Sequence, residues 1–358
     1  MSLLEDRYRR VLRLLPASYR AEREEEMVSA FLDGAGPAAD DDDDARPRWP
    51  EIASIAALAV RVRLGGAGAA PRSIAWGRAV RLTALLGLAF QATMSCVYLA
   101  QALGAYGVFP MPYAHGEMPF GEPGSAERAW YLFKDLAPAL WIVGYVALVR
   151  GRPRVAKVAA VLGLIAHCAD FAVVWAGAHY PPFLTQWVIQ SLMLVVPALA
   201  LLVGFHRDAP ARRRPGRVAA LPLIAGAALF LIFMVLSAWN PAAGRSGPGM
   251  WAWVWPWLLP SGLSCLALLV ASAGYFVAHL SAPRRRSPAV ALALAILTVP
   301  VALTRLSYLN PGSGDQITET MNAVTVAQVI ALLLCGLMLA VIGARSLPAG
   351  DTASRSVS

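Results

Sequence analysis

Charge is scarce in this chain. Asp, Glu, Lys and Arg make up only 15% of its 358 residues, while 58% are hydrophobic. A soluble globular chain is usually about 25% charged and about 45–50% apolar. With a mean hydropathy of +0.54, the chain as a whole is not a water-soluble domain. Lysine is nearly missing, present only as Lys134 and Lys157. Cysteine is sparse too: Cys96, Cys168, Cys265 and Cys335 stand singly in apolar surroundings. That spacing suggests neither a disulfide framework nor a zinc site. The first residues, "MSLLEDRYRRVLRLLPASYRAEREEEM", lack the apolar core and small-residue cleavage site of a secretory signal, so the N-terminus is expected to stay in the cytoplasm. No Walker A sequence, HExxH, GxSxG or kinase set is present. Their absence excludes a single-chain ATP-driven pump, but not a permease subunit that borrows an ATPase. No enzymatic activity, cofactor or resident metal is expected.

Long hydrophobic runs are plentiful. Eight segments of roughly 18–25 residues are long enough to span a bilayer: approximately 80–104, 129–149, 155–178, 184–205, 218–239, 255–280, 288–309 and 323–344. The connections alternate in charge. Arg150, Arg152, Arg154 and Lys157 lie between spans two and three, Arg207, Arg212, Arg213, Arg214 and Arg217 between four and five, and Arg284, Arg285 and Arg286 between six and seven. The opposite connections hold only two arginines, Arg128 and Arg245, and several acids. The expectation is an all-α polytopic bundle in the plasma membrane of a bacterium, with both termini cytoplasmic. The formal net charge of +9 is then an orientation signal rather than a nucleic-acid-binding stripe. Tryptophans 130, 175, 187, 239, 251, 253, 255 and 257 fall near the outer boundary, as an interfacial belt would. Pro138, Pro197, Pro222, Pro256, Pro260 and Pro300 interrupt five spans, and such kinks are common in membrane helices.

Residues 1–77 read as a separate cytoplasmic prefix of three helices. The first runs from Leu3 to about Leu15, and Pro16 breaks it. The second, capped by Ser18, continues to Leu32 before Gly34, with Glu22, Glu24, Glu25 and Glu26 in its early turns. A linker over 34–48 contains five consecutive aspartates, which cannot pack a core. The third helix, Glu51 to about Leu64, carries Ile52, Ile55, Ala56, Ala59 and Val62 on one face. The membrane domain is expected over 78–346, followed by a disordered cytoplasmic tail, 347–358.

The chemistry-bearing residues lie in unexpected places. In "AHCADFAVVWAGAH" (166–179), Asp170 sits inside span three, where an unpaired charge costs several kcal/mol. At 1.5 Å of rise per residue, Asp170 lies about 10 Å below the outer surface. Asp135, beside Lys134, comes out at about 9 Å on span two, and Gln190 and Gln328 at about 8 Å on spans four and eight. Arg305 on span seven lies near the outer boundary and can reach inward. His167 shares a face with Asp170. These seven groups form a candidate polar layer in the outer leaflet, with Asp170 or Asp135 paired to Arg305 or Lys134. Three readings are open: a network that holds the bundle in register, a cavity that binds a substrate, ion or signal, and catalysis. His167 and Cys168 point about 100° apart, which argues against a shared metal.

The stretch "RYRRVLRLLPASYRAEREEEMV" (7–28) resembles the HAAS or permease-prefix domains, in which a helix and Leu-Pro precede a Glu/Arg-rich helix. Leu15, Pro16, Arg20, Glu22, Glu25 and Glu26 carry the match. The whole chain also resembles actinobacterial multi-pass membrane proteins with this prefix. The resemblance implies a domain that precedes bacterial membrane segments and is associated with PadR-like regulators. Arg7, Arg10, Leu15, Pro16, Arg20, Glu25 and Glu26 then become candidate partner-binding residues. A cytoplasmic regulator or an ATPase subunit is the expected partner, alongside the lipid bilayer itself. The function expected is signalling or regulation, in which the prefix engages its partner and the bundle senses or gates. A transporter or the permease part of an export system is the main alternative, and a membrane-embedded enzyme, disfavoured by the missing catalytic motif, is the third.

Overall fold

A computed structural model describes residues 3–35, 47–109, 122, 124–177, 184–206, 214–238, 250–281, 287–310 and 315–348. The aspartate linker, Trp239, the outer connections and the tail beyond Pro348 lie wholly or largely outside these. Among the described residues, the chain forms thirteen helices. The prefix consists of α1 (Leu3–Leu12), α2 (Ala17–Ala35) and α3 (Trp49–Arg63). The spans are α4 (Pro71–Ala105), α5 with α6 (Ala126–Leu136, Ala139–Val149), α7 (Pro153–Gly177) and α8 (Leu184–Gly204). They continue with α9 (Gly216–Ala238), α10 with α11 (Met250–Leu258, Pro260–Ser281), α12 (Pro288–Leu306) and α13 (Gln316–Arg345). Eight helices are long and apolar enough to cross a membrane. The protein is therefore an integral, multi-pass helical bundle whose outer surface meets lipid.

In the prefix, Tyr8, Leu12, Leu15, Tyr19, Val28, Ile55, Ala59 and Val62 form a small core, and the rings of Tyr8 and Phe31 stack at 3.9 Å. Arg9 bridges α1 to α2 with a two-pronged bond to Glu25 at 2.9 and 3.0 Å, and it also reaches Glu5. Hydrogen bonding to Arg9 holds the Glu25 carboxyl below its ordinary range. Three helix boundaries differ from the sequence expectation. Helix one ends at Leu12, with 13–15 in turns. Ser18 lies inside α2 rather than capping it, because the Pro16 carbonyl accepts the first helical bond, from the Arg20 amide at 3.0 Å, and α2 begins at Ala17. Gly34 does not stop α2, which runs to Ala35.

The first membrane helix starts at Pro71, so position 77 falls within a continuous helix. Proline suits the first helical position, where an N–H would have no partner. Gly77 lies against the backbone of Leu64 so closely that a side chain there would overlap its carbonyl. Arg63 donates to the Leu14 carbonyl at 2.9 Å. The prefix is thus seated directly on the base of α4.

Above that base, α4 and α12 form the axis. The helix α4 packs on α6, α8, α9 and α12, and α12 packs on α4, α8, α11 and α13. One core joins α4, α6, α7 and α8 around Leu88, Trp141, Tyr145 and Leu201. The other joins α11, α12 and α13 around Cys265, Leu332 and Leu339. Ala79, Ala289 and Leu292 connect them, with Leu347 packed alongside. The start of α4 and the end of α13 therefore share one end of the bundle. Spans two and six are each two helices rather than one, broken at Ala137–Pro138 and at Leu259. Proline removes a ladder hydrogen bond and clashes with the preceding turn.

Elsewhere proline's orphaned carbonyl is adopted by a neighbour. Pro197 cannot donate to Met193, and Gln91 Nε2 of α4 donates to that carbonyl at 3.0 Å. Pro222 likewise leaves Val218 free, and the Tyr145 hydroxyl of α6 donates to it at 2.8 Å. In lipid an unmet carbonyl has no water to turn to. Gln91→Leu and Tyr145→Phe are each expected to lower stability by about 1–2 kcal/mol in thermal unfolding of the detergent-solubilised protein. Pro197→Ala should recover much of the Gln91→Leu loss, because the restored amide closes the Met193 carbonyl within its own helix. Equal destabilisation by Gln91→Leu in both backgrounds would contradict this account.

Candidate functional site

The residues expected to form one polar layer fall into two groups. The first surrounds Arg305, which is completely buried. Its Nη1 donates to Ser261 Oγ at 3.2 Å, and its Nη2 to Thr325 Oγ1 at 3.0 Å and to Gln328 Oε1. One guanidinium therefore ties α12 to α11 and α13. Its partners are neutral dipoles: among the described residues, neither Asp170 nor Asp135 forms an ion pair with it or with Lys134. The Nε of Arg305 and the Nε2 of Gln328 remain buried without partners. Thr304 Oγ1, one residue earlier, bonds back to the Pro300 carbonyl at 2.8 Å and across to Ile189 of α8 at 3.3 Å.

The second group lines a cavity of about 180 Å³. Span one contributes Gln91, Ser95 and Tyr98, which share one helical face by their spacing. Gly163, Ala166, His167 and Asp170 do the same on α7, while Lys134, Ala137, Pro138 and Trp141 come from the broken second span. Lys134, one turn before the break at Pro138, is exposed and borders the cavity. Lys134 Nζ lies 5.5 Å from the centre of the Tyr131 ring.

His167 Nε2 stands 2.9 Å from Ser191 Oγ. The Ser191 hydroxyl donates to the Trp187 carbonyl at 2.8 Å. With that proton committed, Nε2 of His167 is the donor, and Nδ1 keeps the lone pair in the neutral ring. The imidazole also stacks on Trp187, 5.3 Å between ring centres, and Phe171 stacks on the same indole at 4.1 Å. Trp187 thus supports the site as well as fitting the aromatic belt. Asp170 Oδ1 is buried and accepts no hydrogen bond. A carboxylate oxygen without a partner inside a bundle is the group most in need of a donor.

The remaining expected residues lie apart. Asp135 turns away from the cavity and accepts from the Tyr106 hydroxyl at 3.2 Å. Gln190 is half-buried on α8 and lines neither group. In the prefix, Leu15 is a core residue at 2% exposure, Glu25 is engaged by Arg9, and Arg20 pairs with Glu24 at 3.8 Å. Pro16 and Arg7 are half-buried, whereas Arg10 and Glu26 are exposed. The free surface of the prefix is therefore carried by Arg10 and Glu26 more than by the Leu15–Pro16 corner. Among the described residues, no group of three His, Cys, Asp or Glu side chains could hold a metal.

Gln91, Ser95 and Tyr98 are site residues that sequence reasoning did not single out. Their signal was the spacing of three hydrogen-bonding side chains along span one. Ser261 and Thr325 carried none, since isolated hydroxyls are ordinary in membrane helices. No family model, curated protein or solved structure matches the chain.

The Arg305 cluster yields a stability test. Gln328→Leu leaves a buried guanidinium short of its acceptor and is expected to cost about 2–3 kcal/mol. Arg305→Met together with Gln328→Leu should cost less than Gln328→Leu alone, since it removes the charge as well as its acceptor. A thermal-unfolding series in one detergent checks the order, and a double variant weaker than the single would refute it.

Proposed function

We propose that this integral membrane protein is a sensor of the bacterial plasma membrane. In this reading, a small polar solute bearing a hydrogen-bond donor enters the Asp170 cavity from outside, and the cytoplasmic prefix passes its presence to a protein partner. The observation that carries the reading is the continuity of α4. One uninterrupted helix, Pro71–Ala105, touches the prefix at Gly77 and lines the cavity with Gln91, Ser95 and Tyr98. A shift of α4 at one end is transmitted to the other without a hinge, since its ladder contains no proline after Pro71. The unpartnered oxygen of Asp170 and the absence of an Asp170–Lys134 ion pair support a binding role over a purely structural one. The resemblance of residues 7–28 to permease-prefix domains supports a cytoplasmic output.

Transport is the second reading, and a specific observation favours it. Cavities lie at both ends of α4, one around Asp170 and one around Arg78 and Arg81. Between them is an apolar cleft lined by Leu86, Gly87, Phe90 and Gln91 together with residues of α8, α11 and α12. Polar cavities at opposite ends of one helix, with an apolar cleft between them, support a path that opens to each side in turn.

Two experiments test the proposal. Reporter fusions should place residues 1 and 358 in the cytoplasm and an insertion near residue 116 outside; the opposite assignment would overturn the orientation. Asp170→Asn should change thermal stability by less than about 1 kcal/mol, because it removes no hydrogen bond. The same change should alter which cytoplasmic protein is captured by the tagged full-length chain in cells. Capture that requires residues 1–64 but ignores Asp170→Asn would sink the sensing role. Solute flux into vesicles that Asp170→Asn abolishes, with no captured partner, would establish the transport reading instead.

A further inference from the structure

At the end of the bundle that carries the prefix, α4, α6, the start of α12 and the residues just after α8 and before α9 border a half-open cavity of about 560 Å³. Its polar lining comes from Arg78, Arg81, Arg214 and Ser287, and its apolar lining from Leu82, Leu85, Leu148, Phe205 and Ala289. Three guanidinium groups face one space, and no described residue lining it is acidic. That volume lies within the range of about 300–1,000 Å³ usual for small-ligand sites.

The lining is ordered by depth. Arg78, Arg214 and Ser287 are exposed, as residues at a mouth would be. Arg81 sits deeper and half-buried, and its Nη1 is fully enclosed with no hydrogen-bond partner. Its stem is held in place: Gly204 at the end of α8 packs against it, with space for a Cβ only 3.3 Å from Arg81 Cγ. The neighbouring Lys157, by contrast, has found the Leu202 carbonyl at 2.7 Å. Arg214 is anchored through its backbone, whose N–H donates to the Val149 carbonyl at 3.0 Å, so its side chain is left for other work. Ser287 stands at the N-cap of α12, yet its hydroxyl makes no capping bond to its own helix. The positive end of that 19-residue helix opens onto the same space.

Guanidinium forks bind tetrahedral oxyanions in pairs of parallel hydrogen bonds. Basic pockets between membrane helices at the cytoplasmic surface suit phosphate headgroups in particular. We propose that this cavity binds a phosphate group, with Arg81 as its inner ligand and Arg78, Arg214 and Ser287 as its outer ones. Two sources share that chemistry. An anionic phospholipid would place its phosphodiester among the arginines and its glycerol against Leu82, Leu85 and Phe205, whereas a soluble phosphate would use the polar mouth alone.

The test uses the full-length protein in nanodiscs containing phosphatidylcholine with a minor fraction of cardiolipin or phosphatidylglycerol, analysed by native mass spectrometry. Retained anionic lipid, reduced about tenfold in R78Q/R81Q, would support the proposal and assign the ligand to the lipid. Binding of inorganic phosphate in calorimetry, lost in the same variant without any lipid preference, would support it and assign the ligand to the soluble pool. Arg214→Gln serves if the double variant fails to fold, because the backbone bond of Arg214 to Val149 does not depend on its side chain. Arg154→Gln removes an exposed arginine from the same end of the bundle and is expected to leave binding unchanged. Equal loss in Arg154→Gln would reduce the effect to general surface attraction and overturn the proposal. No retention of lipid or phosphate, or retention unaffected by R78Q/R81Q and Arg214→Gln, would overturn it as well.

Discussion

Much of this bundle depends on one close approach. Gly87 of α4 lies against the ring of Pro197 on α8, where a side chain could not fit. One turn further on, Gln91 donates to the carbonyl that Pro197 leaves free. In lipid, apolar surface alone gives helices little reason to associate, so small residues and interhelical hydrogen bonds decide which helices meet. The Gly87–Pro197 contact sets the separation of α4 and α8, and the Gln91 bond sets their register. That register aims Gln91, Ser95 and Tyr98 at the stripe of His167 and Asp170 on α7. The cavity is a consequence of where α4 meets α8.

The second half of the bundle is organised differently. Here Gly336 on α13 takes Thr298 of α12 into contact, and Arg305 gathers Ser261, Thr325 and Gln328 from the two neighbouring helices. A charge that cannot be discharged is surrounded by dipoles from both sides and loses its access to lipid. Such a cluster fixes orientation more than it adds stability, since the same volume filled with hydrocarbon would serve as well energetically. It gives α12 a single rotational setting, and α12 is the helix on which both halves rest.

The architecture was legible in the sequence because it follows from length and hydropathy along the chain. The eight spans can be counted from apolar runs, and the prefix core can be read from the helical spacing of Ile55, Ala59 and Val62. The polar residues were legible only as depths. Rise per residue places Asp170 and Gln328 at similar heights, with Arg305 in reach of both, but it says nothing of which way each helix faces. One layer was therefore expected where there are two clusters. Which face of each helix meets its neighbours is set by packing between helices, and counting residues along an ideal helix cannot register that. The adoption of the Met193 and Val218 carbonyls was equally hidden. The prolines advertise the orphaned groups, but the donors, Gln91 and Tyr145, lie 102 and 73 residues away.

Both clusters leave buried polar atoms unmet, Arg305 Nε and Gln328 Nε2 in one and Asp170 Oδ1 in the other, and they differ in the room around those atoms. Each oxygen that accepts from Arg305 lies on a helix that packs against α12, so its contacts are those the fold itself supplies. His167 is held in the same manner, by Ser191 below and the Trp187 ring beside it. Asp170 is not. Its oxygen is enclosed without a donor although Lys134 borders the same space. The cavity beside Asp170 Oδ1 has Ser95, Tyr98 and Lys134 on its walls and the ordered His167 ring one turn away, whereas Arg305 is completely buried among the oxygens it bonds.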